Sequence, residues 1–62
     1  SNTDEIEGIV DKIISSNESQ KIQYQSGNSK VLGWFVGQVM KETKGQANPS
    51  VVNKVIIEKI KK

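Results

Sequence analysis

A short stretch in the second half of the sequence carries the residue types that could do chemistry. At about 100° of rotation per residue, one side of a predicted helix gathers lysines, glycines and a tryptophan. These residues are Lys30, Gly33, Trp34, Gly37, Lys41 and Lys44. Lysines attract phosphate groups, glycines allow close approach, and a tryptophan ring can stack on an unpaired base or sugar. The pattern predicts a surface on which a phosphate backbone could rest.

The same residues also have structural explanations. Gly33 and Gly37 are four residues apart, so they could let another helix of the same bundle pack tightly. A mid-helix glycine costs roughly 1 kcal/mol relative to alanine, so two of them in one short helix imply some compensating gain. Trp34, as a lone tryptophan in a small protein, could equally be packed. Packing and partner contact therefore both remain open from the sequence.

The composition argues against catalysis. The 62 residues include no histidine and no cysteine, which removes the commonest general base, the commonest zinc ligand and the usual nucleophile pairs. The sequence has no arginine either, so bidentate reading of guanine edges is excluded and a nucleic acid would be recognised by shape and backbone. We expect no catalytic residue, no metal site and no cofactor in this chain.

Charge is distributed unevenly along the chain. Residues 1–19 carry five acidic side chains and one lysine, Lys12. From Gln20 onward there are eight lysines against Glu42 and Glu58. A basic end of this kind suits a polyanionic partner, although lysines that serve only solubility explain the same pattern. The absence of cysteine fits a cytoplasmic protein.

Two helices are predicted in the first half. Ile6, Ile9, Val10, Ile13 and Ile14 lie on one helical stripe, with Thr3 as a plausible N-cap. After the polar break at residues 15–17, Ser16 or Asn17 could cap a short second helix that carries Ile22 and ends near Gly27. Asn28 or Ser29 could cap the helix that follows.

Two further helices are predicted in the second half. The third runs from about Lys30 to Thr43 and ends at Lys44-Gly45; its core side holds Leu32, Phe35, Val36 and Val39, with Val31 and Met40 at the margins. Asn48-Pro49 then predicts the start of a fourth, whose apolar stripe is Val51, Val52, Val55, Ile56 and Ile60. The expected fold is all-α, a small compact bundle of three main helices plus one short helix.

The whole chain, residues 1–62, is expected to form a single domain, although residues 1–23 could be either part of it or a linker. No segment approaches the roughly 20 apolar residues that a membrane span needs, so we expect no membrane partner. The sequence does not begin with methionine, which suggests an excised piece of a longer protein, and Ser1-Asn2 could be a cloning remnant.

Residues 37–49 read GQVMKETKGQANP, which fits the pattern G-x-x-M-K-x-T-x-G-x-A-x-P. Leu32-Gly33 before it and Val52-Asn53 after it fit the same family. From Tyr24 to Ile60 the sequence thus resembles the GatB/YqeY family, which is built around the tail of an amidotransferase B subunit and includes stand-alone YqeY-like proteins. Gln25 and Gln46 stand where relatives often carry Lys or Arg, which implies that the surface here has fewer positive charges.

The resemblance implies a parent enzyme that amidates misacylated Glu-tRNA(Gln) or Asp-tRNA(Asn), with ATP, Mg and glutamine used in other domains and subunits. It implies that this piece is a non-catalytic C-terminal tail that contacts the outer, D-loop side of the tRNA elbow through Lys30, Lys41 and Lys44. Other implied partners are the remaining domains and the A and C subunits. The alternative is a protein-interaction module, either of a stand-alone YqeY-like protein or for docking within the enzyme.

Overall fold

Four helices follow one another in the computed structural model, which describes residues 2–61. They are α1 (Asn2–Ser16), α2 (Glu18–Gln25), α3 (Lys30–Glu42) and α4 (Pro49–Ile60). That part of the chain contains no strand, and none of its helices has the length and apolar character needed to cross a membrane. The all-α prediction of three main helices and one short one is confirmed. Ser1, half of the suggested cloning remnant, and Lys62, the last lysine of the basic end, lie outside the described residues.

The three long helices meet along one apolar core. Each contributes three buried residues spaced four apart, the near-repeat that brings side chains to one helix face. The nine residues are Ile6, Val10, Ile14, Val31, Phe35, Val39, Val52, Ile56 and Ile60. α1 shares this core with α3 and α4, and an ion pair between Lys59 and Asp11, with Nζ and Oδ1 3.2 Å apart, also joins α1 to α4. The first helix is therefore packed as part of the bundle.

The buried stripe of α3 is rotated slightly from the predicted one. Val31, expected at the margin, is buried, whereas Leu32 and Val36, expected in the core, are only half-buried. The rotation arises because α3 packs against α1 and α2 as well as α4. The sequence pattern locates the apolar side of the helix but does not say from which directions its neighbours approach.

The short helix α2 lies against the bundle without adding a fully buried residue. Tyr24 packs against the core, and the Gln25 side chain donates a hydrogen bond from Nε2 to the carbonyl oxygen of Ile60 at 2.8 Å. Ile22, the apolar residue that the sequence placed on this helix, is 52% exposed. Polar contact with the end of α4 thus contributes to holding α2 in place.

The predicted start of α4 is confirmed, and that of α1 is wrong. Asn48 precedes α4 in an extended conformation, its side-chain oxygen accepts a hydrogen bond from the Ser50 N–H at 2.9 Å, and Pro49 is the first helical residue. This is the arrangement in which proline's missing N–H costs nothing. Thr3 does not cap α1, because the helix begins one residue earlier, at Asn2.

The other two proposed caps make no side-chain capping bond. Asn17 does precede α2, but its Nδ2 donates to the carbonyl oxygen of Ile13 at 2.8 Å. It therefore satisfies an unpaired carbonyl at the end of α1 instead of an N–H at the start of α2. Ser29 precedes α3 in a helical conformation, again without a side-chain capping bond.

α2 ends in a Schellman motif with glycine in the usual position. Gly27 has a φ of +112°, and its N–H donates to the carbonyl oxygen of Tyr24 at 3.0 Å. The next N–H, that of Asn28, donates to the carbonyl oxygen of Gln23, also at 3.0 Å. Glycine is favoured here because a side chain is strained at positive φ.

α3 ends in the same motif, but with lysine in the glycine position. Lys44 has a φ of +56°, and its N–H donates to the carbonyl oxygen of Lys41 at 3.1 Å. Gly45, at a φ of +77°, follows and donates to the carbonyl oxygen of Met40 at 2.8 Å. The predicted break at Lys44-Gly45 is therefore correct in place, and Lys44 belongs to the turn and not to the helix.

Candidate nucleic-acid interface

The outer side of α3 and the turn after it carry the residues singled out from the sequence. All six are exposed, and they are called the lysine strip: Lys30, Gly33, Trp34, Gly37, Lys41 and Lys44. Lys30 and Lys41 lie near the two ends of α3, so the helical part of the strip is about 16 Å long at the usual rise per residue. Lys44 continues it into the turn.

The lysines of the strip are not neutralised by neighbouring acids. In the described part of the chain, two ion pairs are formed, by Lys59 with Asp11 and by Lys21 with Glu18, the latter with 3.9 Å between Nζ and Oε2. Neither of them involves a lysine of the strip. The strip's positive charge is therefore available to a ligand in solution, where it attracts anions without competition from a bound carboxylate.

The two glycines of the strip do not pack against another helix of the bundle. A Cβ atom built on Gly33 or Gly37 would meet no atom within 4 Å beyond the helix's own nearby backbone. The packing explanation for the pair is therefore wrong within this chain, and the space in front of them is open to a partner. Gly8 on α1 has equally open surroundings, and nothing in the structure explains it.

Trp34 is neither fully packed nor fully free. Its ring packs edge-to-face on Phe35, with ring centroids 5.2 Å apart and an interplanar angle of 78°, and the residue is 38% exposed. The contact with a core residue restrains the indole, while the exposed part remains available for stacking. Packing within the bundle therefore explains one part of the tryptophan surface, and the exposed part is the one that could stack on a base or sugar.

Lys44 is held in a conformation that disfavours side chains. A left-handed backbone costs a residue other than glycine roughly 1–2 kcal/mol, and Lys44 is the one such residue in residues 2–61. Gly27 occupies the equivalent place after α2, so the fold accommodates glycine in this motif. The lysine is therefore present although glycine would avoid the backbone strain of this turn.

A groove between α1 and α3 places one further lysine close to the strip. This α1–α3 groove, with a volume of about 260 Å³, is lined mainly by Lys12, Ile13, Asn17, Gln38, Lys41 and Glu42. Lys12 belongs to the acidic first segment and was not among the residues singled out from sequence. Its position next to Lys41 depends on how α1 packs on α3, and the order of residues along the chain carries no signal for it.

The remaining conspicuous residues have structural functions. The Thr43 hydroxyl donates to the carbonyl oxygen of Met40 at 3.2 Å and accepts a hydrogen bond from the Ala47 N–H at 3.3 Å. It thereby joins the two sides of the α3–α4 turn.

Within residues 2–61, no three acidic, histidine or cysteine side chains come together as a possible metal site.

The chain is similar to known proteins along nearly its full length. A family model described as GatB domain matches residues 1–60. The B subunit of an aspartyl/glutamyl-tRNA(Asn/Gln) amidotransferase from Prosthecochloris aestuarii is 52% identical over 60 residues, which are 97% of this chain and 12% of the relative. A protein of the same name from Pseudothermotoga lettingae is 59% identical over 51 residues, 82% of this chain and 11% of the relative.

A plant relative shows the same similarity. The chloroplastic/mitochondrial B subunit of glutamyl-tRNA(Gln) amidotransferase from Ricinus communis is 52% identical over 56 residues, 90% of this chain and 10% of the relative. No solved structure matches the chain. The chain spans about one eighth of the length of the bacterial relatives it matches. With the family model covering all but its last two residues, the chain belongs to the GatB domain family.

Proposed function

We propose that this chain is the C-terminal, tRNA-binding tail of an amidotransferase B subunit. The single observation that carries the proposal is the lysine strip. Within the described part of the chain, it combines lysines that form no ion pair with two glycines, Gly33 and Gly37, that have no other side chain packed over them. The parent enzyme would convert misacylated Glu-tRNA(Gln) or Asp-tRNA(Asn) into Gln-tRNA(Gln) or Asn-tRNA(Asn) in the cytoplasm. The names of the relatives, which are subunits of tRNA amidotransferases, support this proposal.

Binding by the strip would follow from charge and shape. Each lysine that neutralises a phosphate releases counterions, which adds affinity that weakens as salt rises. Gly33 and Gly37 would let the RNA backbone approach α3 without meeting side chains, and Trp34 would stack on an exposed base or sugar. Contacts between lysines and phosphates position the RNA and do not read its sequence. We place the contact at the outer, D-loop side of the tRNA elbow.

The chain itself would take no part in the chemical steps. ATP and Mg would act in other domains of the parent, and the remaining domains with the A and C subunits would complete the enzyme. No side chain here has the histidine or cysteine chemistry that amide transfer commonly uses, and the Thr43 hydroxyl is already engaged in the turn. The purified 62-residue chain should therefore hydrolyse neither glutamine nor ATP.

The direct test is a titration of unmodified tRNA into the chain at several salt concentrations between about 50 and 200 mM. Contacts to three phosphates would give a slope of log K against log salt of about −2 to −3. A DNA duplex with the same number of phosphates serves as a control for shape and should bind more weakly. A chain that does not bind tRNA even at the lowest salt would contradict the proposal.

The second candidate is a docking domain for protein partners, and the exposed Ile22 favours it. This apolar residue is 52% exposed and is not part of the buried core. Replacing Ile22 with aspartate should leave tRNA affinity unchanged but weaken attachment to the rest of the enzyme or to another protein if α2 is a docking surface. The gene sequence upstream would separate the amidotransferase from a stand-alone YqeY-like protein, since only the first has a long catalytic region there.

A further inference from the structure

The α1–α3 groove is continuous with the lysine strip. Lys41 belongs to both, and Gln38 of the groove lies four residues after Trp34 of the strip, a spacing that makes two residues neighbours on a helix surface. A polyanion that follows the strip would therefore pass the mouth of the groove. The position of the groove makes it part of the same surface and not a separate site on the far side of the domain.

The groove is lined by both apolar and polar side chains. Ile9 and Ile13 line it and are half-buried, which provides a surface for the flat face of a ring. Asn17 and Gln38 add two half-buried amides. Because Asn17 Nδ2 already donates to the carbonyl oxygen of Ile13, its side chain is fixed in place and its Oδ1 remains as an acceptor.

The charges around the groove suit a phosphate at its mouth. Lys12 comes from α1 and Lys41 from α3, so each of the two helices that form the groove contributes one cation to its lining. Neither forms an ion pair within the described residues. The one acid on the lining, Glu42, would repel a phosphate beside it, but a carboxylate accepts a hydrogen bond from the amino group of a base such as cytosine.

We propose that the groove binds one unstacked nucleotide of the RNA, a deepening that rests on the tRNA-binding function proposed above. The base lies over Ile9 and Ile13 with its edge towards the amides and Glu42, and its phosphate lies between Lys12 and Lys41. At about 260 Å³, the groove is below the roughly 300 Å³ at which pockets for small molecules usually begin. This small volume is consistent with the assignment of one base to the groove.

This assignment makes the partner specific. Bases inside an A-form helix are stacked and paired, whereas those in loops and bulges can be turned outwards and bound. The groove should thus distinguish an RNA that has unpaired nucleotides, such as tRNA, from a continuous duplex. The lysine strip alone would hold both kinds of RNA through their phosphates.

The test compares tRNA with a fully paired RNA duplex of the same number of phosphates. Gln38→Leu removes the amide while keeping a similar volume on a half-buried position, and should lower tRNA affinity about tenfold, the effect of about 1.4 kcal/mol. Duplex affinity should stay the same. Lys12→Ala should weaken tRNA binding more than the matched control Lys54→Ala, which removes one exposed lysine from α4. Helix content is checked for each variant by circular dichroism.

The location can be read directly by NMR in a protein of 6.9 kDa. A short single-stranded RNA should shift the side-chain amide signals of Asn17 and Gln38 clearly more than the duplex does. If tRNA binds and depends on the strip, but Gln38→Leu matches the wild type and Lys12→Ala matches Lys54→Ala, the groove proposal is wrong and the tRNA function stands. If the wild type binds no tRNA, both are wrong.

Discussion

The two sides of α3 differ in how completely the bundle explains them. On the inner side, Val31, Phe35 and Val39 are buried against the other helices, and burial alone accounts for their apolar character. On the outer side, Gly33 and Gly37 face open space. No contact within the described residues accounts for choosing glycine there over alanine. Folding therefore explains the residues on the inner side, whereas it leaves the two glycines on the outer side unexplained.

The turns after α2 and α3 repeat this contrast. They share the same hydrogen bonds, but Gly27 occupies the left-handed position in the first and Lys44 in the second. Glycine is the residue that folding favours there. The lysine follows shortly after the end of α3, the helix that carries the two open glycines.

The largest expected effect is on the inner side. Phe35 has no exposed surface, so Phe35→Ala should cost about 3–5 kcal/mol. A domain of this size is stable by only about 3–9 kcal/mol, so much or all of the stability would be lost. Thermal unfolding followed by circular dichroism measures this. A loss below about 1 kcal/mol would mean that the ring is not a core residue.

On the outer side, filling the open space should have the opposite effect. The double variant Gly33→Ala and Gly37→Ala should raise stability by about 1–2 kcal/mol, because alanine is the better helix former and meets no atom. Its tRNA affinity should fall, because two methyl groups stand in the way of the RNA backbone. Gly8→Ala is the matched control: it should be more stable with unchanged affinity. A destabilised double variant would show that the glycines are needed for packing after all.

Exchanging residues between the two turns should give a smaller effect of opposite sign at each. Lys44→Gly removes the strain of the left-handed backbone, but glycine also adds conformational freedom to the unfolded chain. Because the first effect is larger, the free energy of unfolding should rise by about 0.5–1 kcal/mol. Gly27→Lys should lose at least as much stability, because a φ of +112° lies further from the left-handed conformation that a side chain can adopt. A gain of 1 kcal/mol raises Tm by roughly 4–8 °C in a domain of this size. Equal changes of the same sign in both turns would contradict the comparison.

Much of the fold could be predicted from the sequence, because its signals are local. The Asn48-Pro49 start of α4 and the break after α3 depend on residues adjacent in the chain. The sequence pattern places the start of α1 later than Asn2, where the helix begins, and places the buried Val31 at the margin of α3. The rotation of α3 depends on neighbours from distant segments, which periodicity within one helix does not reveal.

The candidate site divides in the same way. The exposed strip on α3 follows from the spacing of its residues along one helix. Lys12 does not, because it reaches the strip only through the packing of α1 on α3. The hydrogen bond from Gln25 to Ile60 joins residues 35 positions apart, and the left-handed backbone of Lys44 has no signal in a residue type that rarely adopts it.

Binding of tRNA by the lysine strip is tested most directly by two variants with the same net charge. The strip variant carries Lys30→Ala, Lys41→Ala and Lys44→Gly, where glycine suits the left-handed turn. The control variant carries alanine in place of three lysines elsewhere: Lys21, Lys54 and Lys61. Each changes the formal net charge from +2 to −1, since three lysines are removed.

Titration of tRNA at several salt concentrations then separates position from charge. For the strip variant, the slope of log K against log salt should shrink by about 2–3 units, because up to three phosphate contacts are lost. The control variant should keep most of the wild-type slope and affinity, with helix content unchanged in both. If the two variants lose affinity and slope equally, the RNA responds to net charge alone and the lysine strip is not its binding site.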